Sequence, residues 1–242
     1  MTATSYRVSF KPISELEKNE IDAIVNLYLA YYDGSSAQQV ISDLKTKTEV
    51  LLLTYEGKLV GFSSFELYKF NYESEQRQII YSGDTIVHHQ HWGQQALSNA
   101  WIKYIGKLKS KMHDTPIYWF LIVKGHRTYK FLPAFTKSFF PHWSIDRSDL
   151  KPMLDALAKD KFGKFYNEID GLVKFEVSKG HMKEDIAIIS ENEKKKASVD
   201  FFLQRNPNYH LGDELACLCE FNDDNLRPLT KRILYSKKED KL

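Results

Sequence analysis

Residues 79–123 constrain the fold of this chain more than any other stretch. They read as a strand, a short polar loop, an amphipathic helix and a wholly apolar strand. The loop is His88-His89-Gln90-His91-Trp92-Gly93-Gln94-Gln95. In the helix that follows, Leu97, Trp101, Tyr104, Ile105, Leu108 and Met112 recur at helical spacing. Backbone N–H groups at a helix start, beside the carboxyl end of a strand, bind phosphate without requiring a particular side chain. The layout therefore points to a chain that holds a phosphorylated carrier.

Composition narrows the alternatives. The 242 residues allow one large domain or two small ones. A net charge of +2 is too small to point to nucleic-acid binding. The longest apolar run, 117–123, is far shorter than a bilayer span. The first five residues have neither the basic start nor the apolar core of a signal peptide, so the expected location is cytoplasmic. Cys217 and Cys219 alternate on a strand-like segment and read as small apolar fillers rather than a disulfide framework.

The remaining pattern supplies an element order. Residues 5–10 read as an edge strand, and a helix with Ser14 as its cap follows. Ser36 caps a second helix at 37–45. Strands are expected at 50–55, 59–70 and 78–87, then a helix at 92–112. The apolar run 117–123 does not alternate, which is the mark of a central strand covered on both faces. A helix at 128–140 contains Pro133, so a kink or late start is expected. Beyond Pro141 the pattern gives a helix at 150–166, strands at 172–177 and 214–221, helices at 197–204 and 226–235, and a charged tail at 236–242.

The order β-α-α-β-β-β-α-β-α, with a phosphate-type loop before its third helix, resembles the GNAT superfamily of N-acyltransferases. Gln90-His91-Trp92-Gly93-Gln94-Gln95 matches that family's loop at Gln90 and Gly93 and departs from it at Gln95, where a small residue is usual. Residues 124–133, 205–209 and 212–215 resemble a group of bacterial GNAT-like proteins without an assigned reaction. The resemblance implies an α+β fold: a mixed, mostly antiparallel central sheet flanked by helices. It covers residues 1–145 as an acyl-CoA-binding core, with 146–242 as an α/β extension completing the sheet and the substrate side. It further implies acyl transfer from acetyl-CoA or a longer acyl-CoA, or from acyl-carrier protein, to a small-molecule or peptide amine. The carrier would be held by Val87, His89, Gln90, Trp92, Gly93, Gln94, Gln95 and Ala96. The alternative is a GNAT-shaped binding module without catalysis. Oligomeric state is left open.

Acyl transfer to an amine needs a base, a polarised carbonyl and a proton for the leaving thiolate. Asp84, near the end of the strand before the loop, is a candidate base; it also reads as a bulge aspartate bonded to a nearby amide. Glu66, the second candidate, interrupts an apolar strand and also reads as a solvated charge. Tyr129 is the candidate acid, and equally one packing residue among 14 tyrosines. His126 and Arg127 either contact an anionic group of substrate or carrier, or cap element ends. His88, His89 and His91 lack a converging fourth partner, so no metal is expected. Lys194, Lys195 and Lys196 read as a solvated stretch, or as an electrostatic site for an acidic carrier protein.

Overall fold

The computed structural model describes residues 5–112, 115–177 and 179–236, so the expected tail lies, beyond Ser236, outside the described residues. In chain order the first half runs β1 (Tyr6–Pro12), α1 (Lys18–Tyr31), β2 (Tyr32–Asp33), α2 (Ala37–Leu44), β3 (Glu49–Tyr55), β4 (Lys58–Tyr72) and β5 (Glu75–Val87). Then come α3 (Ala96–Lys111), β6 (Ile117–Val123), and two short helices, α4 (His126–Tyr129) and α5 (Phe131–Phe135). The second half runs α6 (Lys151–Phe162), β7 (Tyr166–Asn167), β8 (Leu172–Val173), β9 (His181–Met182), α7 (Glu184–Ala187), α8 (Glu191–Lys194), α9 (Ala197–Arg205), β10 (Glu214–Glu220) and α10 (Pro228–Leu234). No helix of the described residues is long and apolar enough to cross a membrane.

Eight strands form one sheet in the order β1-β3-β4-β5-β6-β10-β8-β7. Every pairing is antiparallel except β5 with β6, the pair joined by α3. The fold is thus α+β, with a mostly antiparallel sheet between layers of helices. β6 is central and its apolar run is covered on both faces. Trp119, Leu121 and Val123 pack into the cluster under α3, while Phe120 packs into the cluster under α6. Strands of the C-terminal hundred residues lie in the same sheet, because β10 pairs along β6 from Leu215↔Val123 to Glu220↔Tyr118.

Several expected boundaries move. α1 starts at Lys18, not after Ser14, because Glu17 and Glu20 form a capping box. α3 starts at Ala96 rather than Trp92. Residues His89–His91 form a 3₁₀ turn, and Gly93 follows at φ 89°, which the helix cannot incorporate. The helix expected at 128–140 is two short helices meeting at Lys130, ending at Phe135. The strand expected at 172–177 stops after Val173.

Candidate functional site

β5 and β6 pair from Gln78↔Ile117 to Ser82↔Leu121 and no further, although β5 runs on to Val87 and β6 to Val123. The cause lies on the other edge of β5. Ser63 pairs with Thr85 and Phe65 with Ser82, so Gly83 and Asp84 both oppose Ser64 in a bulge. A Cβ on Gly83 would lie 2.5 Å from Lys47 Cε and 2.6 Å from Ser64 Oγ, so a larger residue would displace both side chains. The bulge turns β5 away from β6, and a cavity of about 590 Å³ opens where the two strands part.

The cavity passes between the two faces of the sheet. Ser63, Ser82, Thr85, Ile86, Tyr31 and Tyr32 line one end, and Trp101, Trp119, Phe131 and Phe135 the other. Ser82 accepts a hydrogen bond from Trp119 Nε1 at 2.7 Å, and the Ser63 and Thr85 hydroxyls are 2.7 Å apart.

At the mouth lies the loop before α3. Within it the N–H of Trp92 bonds to His89 O and that of Gln94 to His91 O. The N–H groups of Gly93, Gln95 and Ala96 meet no protein acceptor among the described residues. Gly93, with nothing within 4 Å of where a Cβ would stand, keeps that approach open. Val87, Trp92, Gly93, Gln94, Gln95, His126 and Arg127 all line the cavity, whereas His89, Gln90 and Ala96 do not. His89 is tied back to α1: Tyr31 Oη lies 2.5 Å from its backbone nitrogen and 3.0 Å from Nδ1. His91 Nδ1 is 3.0 Å from Tyr6 Oη. Trp92 spans the opening, donating from Nε1 to Val87 O at 2.8 Å with the Arg127 guanidinium 4.6 Å from its ring centre. Arg127 also donates to Ile186 O at 2.9 Å. His126 is buried, and burial lowers its pKa to about 4, so it is a neutral wall residue at pH 7. No group of three or more His, Cys, Asp or Glu among the described residues is arranged to hold a metal ion.

The three candidate catalytic residues fare differently. Asp84 does not line the cavity; it lies among Asp43, Lys47 and Lys124 on the face that carries α1 and α2, and makes no hydrogen bond or ion pair among the described residues. Burial, then the charge of Asp43, raises its pKa, while Lys124 and Lys47 oppose the rise. Glu66 pairs with Lys161 from α6, across from Tyr81, and takes no part in the cavity wall. Tyr129 is removed from the chemistry altogether. It is fully buried in the apolar cluster, and its hydroxyl donates to Pro141 O at 2.8 Å.

Sequence reasoning passed over Tyr31, Tyr32, Lys124 and Glu214. The last two had a readable signal: Lys124 directly follows the apolar strand β6, and Glu214 opens β10, whose interior is apolar. In the sequence Tyr31 and Tyr32 read only as part of the apolar face of α1.

No family model matches the chain, and no curated protein sequence matches it either. Solved structures similar to it include a probable N-acyltransferase from Enterococcus faecalis V583, a conserved protein of unknown function. The two share 12% identity over 56% of this chain and 33% of that one, with a TM-score of 0.43. The chain thus spans about a third of that protein's length. An acyl-CoA N-acyltransferase from Pseudomonas aeruginosa is 17% identical over 54% of this chain and 88% of its own, with a TM-score of 0.39. The GNAT family N-acetyltransferase YhbS from Escherichia coli, solved with CoA, is 14% identical over 56% and 72% of the two chains, also at 0.39. The chain is similar, at low sequence identity, to solved N-acyltransferases, among them one named as a GNAT family member.

Proposed function

We propose that the protein transfers an acyl group from acyl-CoA, or from a loaded acyl-carrier protein, directly to an amine. The observation that carries this reading is the parting of β5 and β6 beside three unpaired N–H groups at the start of α3. An extended, partly apolar arm with a diphosphate at one end fits such a cleft. Its phosphates would accept from Gly93, Gln95 and Ala96. Its thioester would lie between Ser82 and Thr85, which line the cavity on either side of the bulge.

The amine would then approach from the face onto which Asp84 turns. A carboxylate with a raised pKa is a competent base for an ammonium ion, since the gap in proton affinity between the two is reduced. As the C–N bond forms, the C–S bond breaks. The nitrogen loses two protons in all, one through Asp84 to solvent and one to the departing thiolate. Tyr129 cannot supply the latter, because its hydroxyl is committed to Pro141 O in the core.

That commitment also favours a second reading, a thioester-binding module without turnover. Calorimetric titration with acetyl-CoA, longer acyl-CoAs and a loaded carrier protein tests the shared premise. Failure of every thioester to bind removes both readings, and binding without turnover over a broad amine panel selects the second.

A further inference from the structure

Between the apolar cluster under α1 and α2 and the one under α6 runs a seam of ionisable groups. Lys124, just past β6, is 3.5 Å from Glu214 at the start of β10, and their side chains are 11% and 9% exposed. The Lys124 ammonium is also 5.5 Å from the centre of the Tyr32 ring, which stacks on Tyr28 at 4.7 Å. Asp84 and Glu214 both act on this one lysine. Asp43 is already paired with Lys47 at 2.8 Å. The seam therefore sets Asp43, Asp84 and Glu214 against Lys47 and Lys124, and is one cation short. A second feature is independent of that count. Tyr81 is only 5% exposed and its hydroxyl has no hydrogen-bond partner among the described residues, while the centre of its ring lies 4.3 Å from the Lys161 ammonium and 5.7 Å from that of Lys47. Those two cations lie against the ring, and the anionic charges acting on the hydroxyl come from Glu214, Asp43 and Asp84.

We propose that this seam is the acceptor subsite and that it takes a compact primary amine carrying no carboxylate. The proposal rests on the acyl-transfer reading and names its acceptor. An ammonium ion supplies the missing charge and gives the Tyr81 hydroxyl a donor, while the stacked rings of Tyr28 and Tyr32 suit the flank of an alkylammonium. A carboxylate on the acceptor would have to share Lys124 with Glu214, its ion-pair partner, within the field of Asp84. Size is limited by residues 179–183, which lie over the end of α1. Tyr28 Oη donates to Lys179 O at 3.3 Å. β9 pairs with β2, and the side chain of Met182 would stand 2.9 Å from a Cβ on Gly125.

The test is calorimetry on the full chain saturated with CoA, comparing isopentylamine with leucine and phenethylamine with phenylalanine. Each amine should bind at least tenfold tighter than its amino acid. Glu214→Gln should weaken amine binding tenfold or more, and the nearly isosteric Tyr81→Phe severalfold, with CoA affinity unchanged in both. Amino acids binding as tightly as the amines, no amine binding at all, or wild-type amine affinity in folded Tyr81→Phe protein would each overturn the subsite. If CoA itself fails to bind the wild-type chain, the acyl-transfer reading falls instead, and the subsite proposal falls with it.

Discussion

Under α3, the strands from β3 to β10 contribute to one unbroken apolar cluster that runs from Leu51 through Trp119 to Phe221. On the opposite face the same sheet carries two clusters, one beneath α1 and α2 and one beneath α6. The ground between them holds Lys47, Ser64, Asp84, Lys124 and Glu214. Burying such groups costs free energy that burying leucines would not. The unbroken face holds the sheet together, and the interrupted face gathers the ionisable groups that the sheet covers.

Asp84→Asn probes the interrupted face most directly. The carboxamide keeps the shape and removes the base, so turnover should fall by about 10²–10⁴, or about 3–5 kcal/mol of barrier, in a protein that still melts cooperatively. Wild-type turnover in the folded variant would place the base elsewhere. The pH dependence sharpens the same point. Burial, chiefly, holds the folded pKa values of both Asp84 and Glu214 above their ordinary values of 3.8 and 4.5. The folded chain thus keeps protons that the unfolded chain has released. Their contribution to stability is full below those ordinary values and is lost as pH rises through the raised ones. Activity, which needs the ionised base, should rise over that same window, with its acid limb displaced above the usual carboxylate range. Stability and kcat/KM moving in the same direction there would contradict the assignment.

The unbroken face should answer to volume instead. Ile105 on α3 is fully buried. Ile105→Ala should cost about 2–5 kcal/mol in urea denaturation. Lys161→Met, which breaks the pair with Glu66 whose side chains are 20% and 23% exposed, should cost about 1 kcal/mol. Equal losses would erase the contrast between the faces.

That contrast was only half legible in the sequence. β6 could be read as a two-sided central strand because Ile117 to Val123 contains no polar residue, and a period-free apolar run has one main explanation. The loop before α3 was legible because a helix must begin with unpaired N–H groups wherever it begins. The interrupted face was not, because its partners are distant in sequence. Lys161 reaches Glu66 across 95 residues, and Glu214 reaches Lys124 only because β10 returns beside β6. Nothing local to Glu66 distinguishes a solvated charge from a paired one. Tyr129 misled for a similar reason: the resemblance places an acid on the helix after β6, but the carbonyl that accepts this tyrosine's hydrogen bond belongs to Pro141, beyond α5.

Gly93 tests the loop where the two faces meet. Its φ of 89° lies where side chains other than glycine are strained, while the space beside it is open. Gly93→Ala should therefore act through the backbone, not through a clash, at a cost of about 1–2 kcal/mol. Thioester affinity should fall with it, as the N–H groups of Gly93 and Gln95 are re-aimed. Gly93→Glu adds a negative charge beside the phosphates and should abolish binding. Unchanged thioester affinity in folded Gly93→Glu protein would show that the carrier binds elsewhere.

The smallest effect is expected at His89, on the same loop but outside the cavity wall. Its imidazole makes one side-chain hydrogen bond, from Nδ1 to Tyr31 Oη at 3.0 Å, and stacks on His88 at 4.4 Å. Its backbone N–H, which donates to the same hydroxyl, survives substitution. His89→Ala should then shift both thioester affinity and stability by less than about 1 kcal/mol, the scale of one exchanged hydrogen bond. Tyr31→Phe removes both bonds while preserving the ring, and should loosen the loop more than His89→Ala does. The reverse order, read from paired melting curves and CoA titrations, would mean that the imidazole itself touches the carrier and that backbone geometry alone does not make the phosphate site.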